Sequence, residues 1–448
     1  MRLERPILVL AALLLGGSSD AFQLRRSDEG KVLIWGKSAL QVQVDTSVVS
    51  ALGGAADAVR AGFLTWTAAG VPQQLEHESA KSLELATDGV NAVLWQSSAW
   101  KYGKEVVAMT VSSYKRSTGI VTETDIVLNA RDHSWKLDPA PGSSDYDVQN
   151  VVAHEAGHFF GLGHSDRPEA TMYPTTPGGE TNKRSLSADD RAGIAALIEE
   201  INRRRGSQPS KSDDPGELGQ SVETQSIELP ERQGIGCSVS GAGGGLALVW
   251  PTLLLALIGL ARRERRGVRA ALLVLATLLT PTTSQATVVR RLSLAQMHKA
   301  AATVVQGVVV SRRSYVDPDS RMVMTDYTIR VTRCYKAPAA CQAAVTLHTL
   351  GGVAGDRGVQ VEGMPRLEVK QRVILFGRGA GTRLVPVGLS LGVFRLARGQ
   401  AERDLRGLSL IEPNAGGHRV RGAVERIGIP TLEAELSRLC STPAPGAQ

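Results

Sequence analysis

Cysteine is scarce in this 448-residue chain: there are four, none before Cys237. No disulfide can therefore staple the first 236 residues. Cys334 and Cys341 stand seven apart across the turn-like stretch Lys336 to Pro338, and they read as a bridge if the chain is exported to an oxidising compartment. Two reduced thiols are the alternative, and Cys440 has no obvious partner except the distant Cys237. Aromatic residues make up only 4% and are nowhere interleaved with basic ones. The net charge of +7 is modest for this length, and much of the arginine is local, as at Arg203 to Arg205 and Arg262–Arg263. These absences exclude nucleic acid as the natural partner.

Long apolar runs are also few. The first, Pro6 to Leu15, follows a basic start and precedes the small-x-small site Ser19-Asp20-Ala21. It is too short to span a bilayer, so residues 1–21 read as a secretory signal peptide, with cleavage after Ala21. Residues 206–236 lose periodicity and fill with Ser, Pro, Gly, Gln and Glu, a composition that buries too little apolar surface to fold and reads as a disordered linker. Then come Gly236-Cys237, a glycine-rich lead-in, the apolar stretch Leu246 to Ala261 and the cluster Arg262 to Arg266. Counted from Gly241, the run approaches the ~20 residues of a membrane helix, and the trailing arginines fit a cytoplasmic flank. In order and composition, segment 237–266 resembles the Myxo-CTERM sorting tag, which makes Cys237 a candidate processing or lipid-attachment site by resemblance. A second apolar run, Val268 to Thr280, ends before Ser284-Gln285-Ala286. Two readings stand: residues 241–261 and 268–286 form a helical hairpin, or 262–286 is another signal peptide and two exported proteins share one reading frame. In both, residues 287–448 end up beyond the membrane.

At 448 residues two folded domains are expected, 22–205 and 287–448. The second reads as β-rich. Val304 to Ser311 and Met322 to Thr332 are β-branched runs around the turn signal Asp317-Pro318-Asp319, and shorter strands follow at Val345 to Leu350, Arg372 to Phe376 and Arg383 to Val387. A small barrel or sandwich is expected there, with no convergent chemical residues. His298 and His348 stand isolated.

The chemistry is concentrated in residues 154–164, His-Glu-Ala-Gly-His-Phe-Phe-Gly-Leu-Gly-His. On a helix, His154 and His158 project from one face and can reach a single ion at about 2.0–2.1 Å. Glu155 is placed to hydrogen-bond a water on that ion, as a general base requires. Gly161 ends the helix and turns the chain so that His164 supplies the third ligand, leaving the fourth position open. His77 and His133 fall outside any ligand spacing. A zinc ion is the cofactor expected; calcium sites are not legible.

These residues, with Ser165 and the turn Met172-Tyr173-Pro174, resemble the matrixin-like metzincin zinc metallopeptidases, over roughly residues 31–201. The resemblance implies a zinc-dependent endopeptidase acting on protein or peptide substrates, with Glu155 as catalytic base, His154, His158 and His164 as ligands, and Gly161, Met172 and Tyr173 as structural support. It also implies a hydrophobic floor at Met172 braced by Asp189 or Asp190. Val42 and Val44 resemble the first strand, Ala51 to Trp66 a helix, and Thr124 to Asn129 the edge strand along which such enzymes lay an extended substrate. Leu186 to Asp190 resembles the start of the closing helix, with Ser187 as N-cap and Asp190 in the capping-box position. A cysteine-switch latency is excluded, because no cysteine precedes Cys237.

The fold class expected is α+β: a twisted sheet with an active-site helix, a disordered linker, one or two membrane helices and a small β-rich domain. Export to the cell surface with membrane anchoring follows from the leader and tag. Two other readings remain: a zinc-stabilised adhesion or binding module without turnover, and a chain whose main role lies in the β-rich half. Oligomeric state is not legible.

Overall fold

The architecture follows from strands that are apolar on both sides. In the computed structural model, Ala92, Leu94, Met109, Val111 and Val127 lie on one face of a sheet, while Val93, Ala108, Ile126 and Leu128 of the same strands lie on the other. Alternation of period two with both sets buried means that both faces are covered. The structure describes residues 22–71, 74–79, 82–98, 100–174, 176–206, 287–379, 381–405, 408–411, 419–421 and 424–441. The leader, linker and tag-like segment with Cys237, and the second apolar run, lie outside them. Among the described residues no helix is long and apolar enough to cross a membrane.

The first stretch contributes β1 (Ile34–Trp35), β2 (Ala39–Val44), α1 (Thr46–Ala51), α2 (Ala55–Thr67), β3 (Gln74–Ser79), β4 (Asn91–Gln96), β5 (Ala108–Lys115) and β6 (Ile120–Asn129). It continues with β7 (Trp135–Lys136), β8 (Tyr146–Asp147), α3 (Val148–Phe160) and α4 (Ala188–Gly206). Strands β3, β2, β4 and β6 lie parallel in that order, and β5 turns back antiparallel on β6. Two expectations are corrected. The helix expected over Ala51 to Trp66 forms as α2 but starts at Ala55, since Gly53–Gly54 disfavour helix at about 1 kcal/mol per glycine and separate it from the short α1. Thr124 to Asn129 is not an edge but interior strand β6, flanked by β4 and β5; β5 is the outermost strand of this stretch.

The second stretch contributes β9 (Thr287–Arg290), α5 (Leu294–Ala300), β10 (Thr303–Val316), β11 (Val323–Lys336), β12 (Ala344–Leu350), β13 (Gly352–Ala354) and β14 (Arg357–Val361). It ends with β15 (Arg372–Arg378), β16 (Arg383–Pro386), β17 (Val393–Ala397), β18 (Gln400–Asp404), β19 (Leu408–Ile411), β20 (Arg419–Arg421), β21 (Val424–Gly428) and α6 (Ile429–Ser441). Strands β10, β11, β12, β16 and β15 pair in sequence, and β15 pairs back to β10, closing a five-stranded barrel. Val305, Val309, Tyr327, Ile329, Leu347, Val373 and Leu375 fill it. Cys334 and Cys341 are joined by a disulfide near the end of β11, with Cα atoms 6.2 Å apart.

The two stretches do not stand apart. The sheet face of Leu94, Met109 and Val111 shares its core with Val289, Met297, Met324 and Phe376 of the second stretch. Glu105, buried, pairs with Arg378 at 2.7 Å and 3.0 Å. Most directly, β14 pairs antiparallel with β5 and carries β13 outside it, so the mixed sheet runs β13-β14-β5-β6-β4-β2-β3, with β1 on β6. A sheet face as apolar as that of β4 to β6 must be covered, and here the barrel's own elements cover it.

Candidate metal centre

Helix α3 is held from both ends. Asp147 caps its N-terminus by accepting from the Asn150 amide at 2.6 Å, and its carboxylate also accepts from Arg184 Nε at 3.0 Å. At the other end Gly161 takes φ +113°, and a Cβ there would lie 2.6 Å from the Leu33 carbonyl, so only glycine makes this turn. Against the sheet and α2, the helix buries Phe159 edge-on to Phe63 at 5.2 Å, and its Ala153 carbonyl accepts from Trp66 Nε1 at 2.6 Å.

This frame brings three imidazoles together. His154 Nε2 lies 2.7 Å from His164 Nε2, which lies 2.8 Å from His158 Nε2. His154 Nδ1 is 2.8 Å from the Thr171 carbonyl and His158 Nδ1 is 2.9 Å from the Leu162 carbonyl. A carbonyl only accepts, so these two rings carry their proton on Nδ1 and turn an Nε2 lone pair inward. Burial, with repulsion from Lys183 and His158, keeps His154 neutral well below the ordinary imidazole range. Neutral nitrogens whose lone pairs converge suit a divalent cation, and backbone carbonyls that accept from Nδ1 are what fixes a metal-binding tautomer. Among the described residues this is the one group of three or more metal-ligating side chains close enough to hold an ion.

Glu155 lies beside them, fully buried. One carboxylate oxygen accepts from the Thr110 hydroxyl of β5, and the other, Oε1, is buried without a protein partner. Burial raises the carboxyl to about 7, against the lowering effect of Thr110 and Arg25; Glu362 adds to the rise. Met172, the residue after Thr171, is buried with its Sδ against Gly157 of α3. Asp190 accepts from the Thr171 amide at 2.7 Å and the Met172 amide at 2.9 Å, and exchanges hydrogen bonds with Ser187 at the start of α4. Of Asp189 and Asp190, the second therefore braces the methionine turn. The Tyr173 ring lies 5.8 Å from the Lys183 ammonium.

Three functional neighbours escaped the sequence reading. Gly157, inside the motif, is required for close approach: a Cβ there would lie 2.1 Å from Met172 Sδ and 2.6 Å from Trp66. Lys183 is buried and donates to the Thr171 and Tyr173 carbonyls, locking the turn. Thr110 holds Glu155 from the neighbouring strand. Gly157 was visible in the spacing; the other two had no local signal. The remaining histidines are elsewhere: His133 packs on Tyr146 at 5.0 Å, His77 lies on β3, His348 lies 2.6 Å from an Asp326 oxygen, and His298 lies 3.7 Å from Cys440 Sγ.

Residues 92–199 match the family model for matrixin. The chain is 45% identical over 64 residues to Metalloendoproteinase 1 of Glycine max, covering 14% of this chain and 21% of that protein. It is 47% identical over 53 residues to Matrilysin of Rattus norvegicus, covering 12% and 20%. It is 47% identical over 55 residues to Neutrophil collagenase of Homo sapiens, covering 12% of each. The chain thus spans about a fifth or less of the length of these curated relatives.

Proposed function

We propose that the stretch 22–206 is a zinc-dependent endopeptidase of matrixin type, acting on protein or peptide substrates. One observation carries the reading: three Nε2 atoms converge within ion-binding distance, and the carboxylate next to the first ligand in the chain keeps one buried oxygen without a protein partner, in a segment that matches the matrixin model. A purely structural metal site has no use for that oxygen. Bound zinc supplies Lewis acidity and lowers the pKa of water toward roughly 7.

The chain's own residues do the rest. Thr110 fixes one oxygen of Glu155, so Oε1 is the atom left to take a proton from the attacking water and return it to the leaving amine. His154, His158 and His164 would hold the ion, and Met172, packed against Gly157 of α3, would fix the helix that carries two of them. Export to an oxidising compartment is part of the proposal, supported by the leader-like start and the Cys334–Cys341 disulfide.

Glu155→Gln separates this from a zinc-stabilised binding module. Bound zinc is expected to stay near one per chain while hydrolysis of a fluorogenic peptide falls by about 100-fold or more. Equal and measurable hydrolysis by both proteins would overturn the reading.

A further inference from the structure

His154, Glu155, His158 and His164 are only 1–2% exposed. A peptide must nevertheless reach this site, and the strand edge that leads to it is already occupied. Strand β5 presents its outer edge beside the metal centre, since its Thr110 hydroxyl touches Glu155. An unpaired strand edge of this kind accepts an extended peptide by backbone pairing. Here the edge is taken by β14: Arg357 lies opposite Lys115, Gly358 opposite Tyr114, Gln360 opposite Ser112 and Val361 opposite Val111.

The pairing is antiparallel, so the chain leaving Val361 heads toward Thr110 and the metal-binding helix. Its next residue, Glu362, is buried and pairs with Arg25 Nε at 2.8 Å. Arg25 in turn donates to Ser112 Oγ at 2.7 Å and to the carbonyl of His158 at 2.9 Å. The other end is pinned too: Asp356 accepts from the Arg116 amide at 2.8 Å and, through its carboxylate, from the Ser117 amide at 2.7 Å. In the middle Gly358 lies against the Tyr114 ring, where a Cβ would come within 2.2 Å of ring carbon.

We propose that residues 356–362 are an in-cis occupant of the peptide-binding edge of β5, by which the barrel half excludes free peptides from the metal centre. The inference rests on the endopeptidase reading, and it names the ligand class of that edge: an extended strand with an acidic side chain aimed at Arg25.

The test uses the zinc-loaded full-length chain and two variants. Glu362→Arg sets two guanidinium groups against each other, and Asp356→Ala removes only an exposed anchor. The probe is a fluorescein-labelled synthetic peptide of residues 356–364, followed by anisotropy alongside amide hydrogen exchange of β5. The parent chain is expected to protect the amides of Val111 to Lys115 and to bind no probe. In Glu362→Arg the amides of that set that face β14 should exchange freely and the probe should bind saturably, with cleavage of an unrelated peptide rising by about tenfold or more. Asp356→Ala should shift all three readouts the same way by a smaller factor. Probe binding to the parent as tight as to the variants, or freely exchanging β5 amides without probe binding, would overturn the proposal. Restored probe binding with no hydrolysis would leave the occupant in place and remove the peptidase reading instead.

Discussion

At the level of single residues, the metal centre depends on groups that never touch the ion. Gly157→Ala drives a methyl into Met172 Sδ and Trp66, both rigidly enclosed. Overpacking of this kind costs about 1–3 kcal/mol, so the variant should unfold at a lower temperature and bind zinc more weakly than the parent, as calorimetry with added zinc would show. A parent-like zinc affinity would mean that the methionine floor does not set the ligand geometry. A different pair of residues controls pH behaviour. Burial raises Glu123 on β6 from an ordinary 4.5 to about 7, and it raises Asp125 well above the usual carboxylate range, with Glu123 adding repulsion. A carboxyl whose folded pKa is raised stabilises the fold below its unfolded pKa and loses that contribution as pH climbs through the folded one. The Tm should therefore fall between pH of about 4.5 and about 7, and Glu123→Gln should flatten that slope.

At the level of elements, α3 was legible because its information is local. Histidines four apart and a glycine after Phe160 each act within a turn or two of the chain. The same holds for α4, whose Ser187 and Asp190 cap each other as their spacing implies. What failed was non-local. Resemblance marks Thr124 to Asn129 as an edge strand, but its neighbours are set by residues far away in the chain, and β4 and β5 flank it on both sides. Pairing of β14 with β5 joins residues more than 240 positions apart, and no pattern near Gly358 announces its partner. The caps nevertheless make a quantitative prediction. Asp147→Ala removes the N-cap of α3 and strips Arg184 of its buried carboxylate partner. A loss of at least about 2 kcal/mol is expected in denaturant unfolding, with a loosened metal site as the consequence. A change under half of that would place the helix start under the control of packing alone.

At the level of the whole molecule, the second stretch is more than an appendage, because it covers the sheet face of β4 to β6 and completes one edge. Residues 22–206 produced alone would expose Leu94, Met109, Val111 and Val127 together with the outer edge of β5. Such a fragment should self-associate at micromolar concentration, a state that light scattering would detect and that the full chain should not show. Monomeric behaviour of the fragment would mean that the shared core contributes little. The Glu105–Arg378 pair points the same way, since a buried carboxylate left without its cation is strongly destabilising.

Because β14 enters the sheet by backbone pairing and the shared core closes by apolar contact, no peptide bond is needed to join the halves. Residues 22–206 and 287–448, made as separate polypeptides and refolded together, should reassemble as a one-to-one heterodimer. Size-exclusion chromatography would reveal this fragment complementation, in which one polypeptide donates a strand to the other.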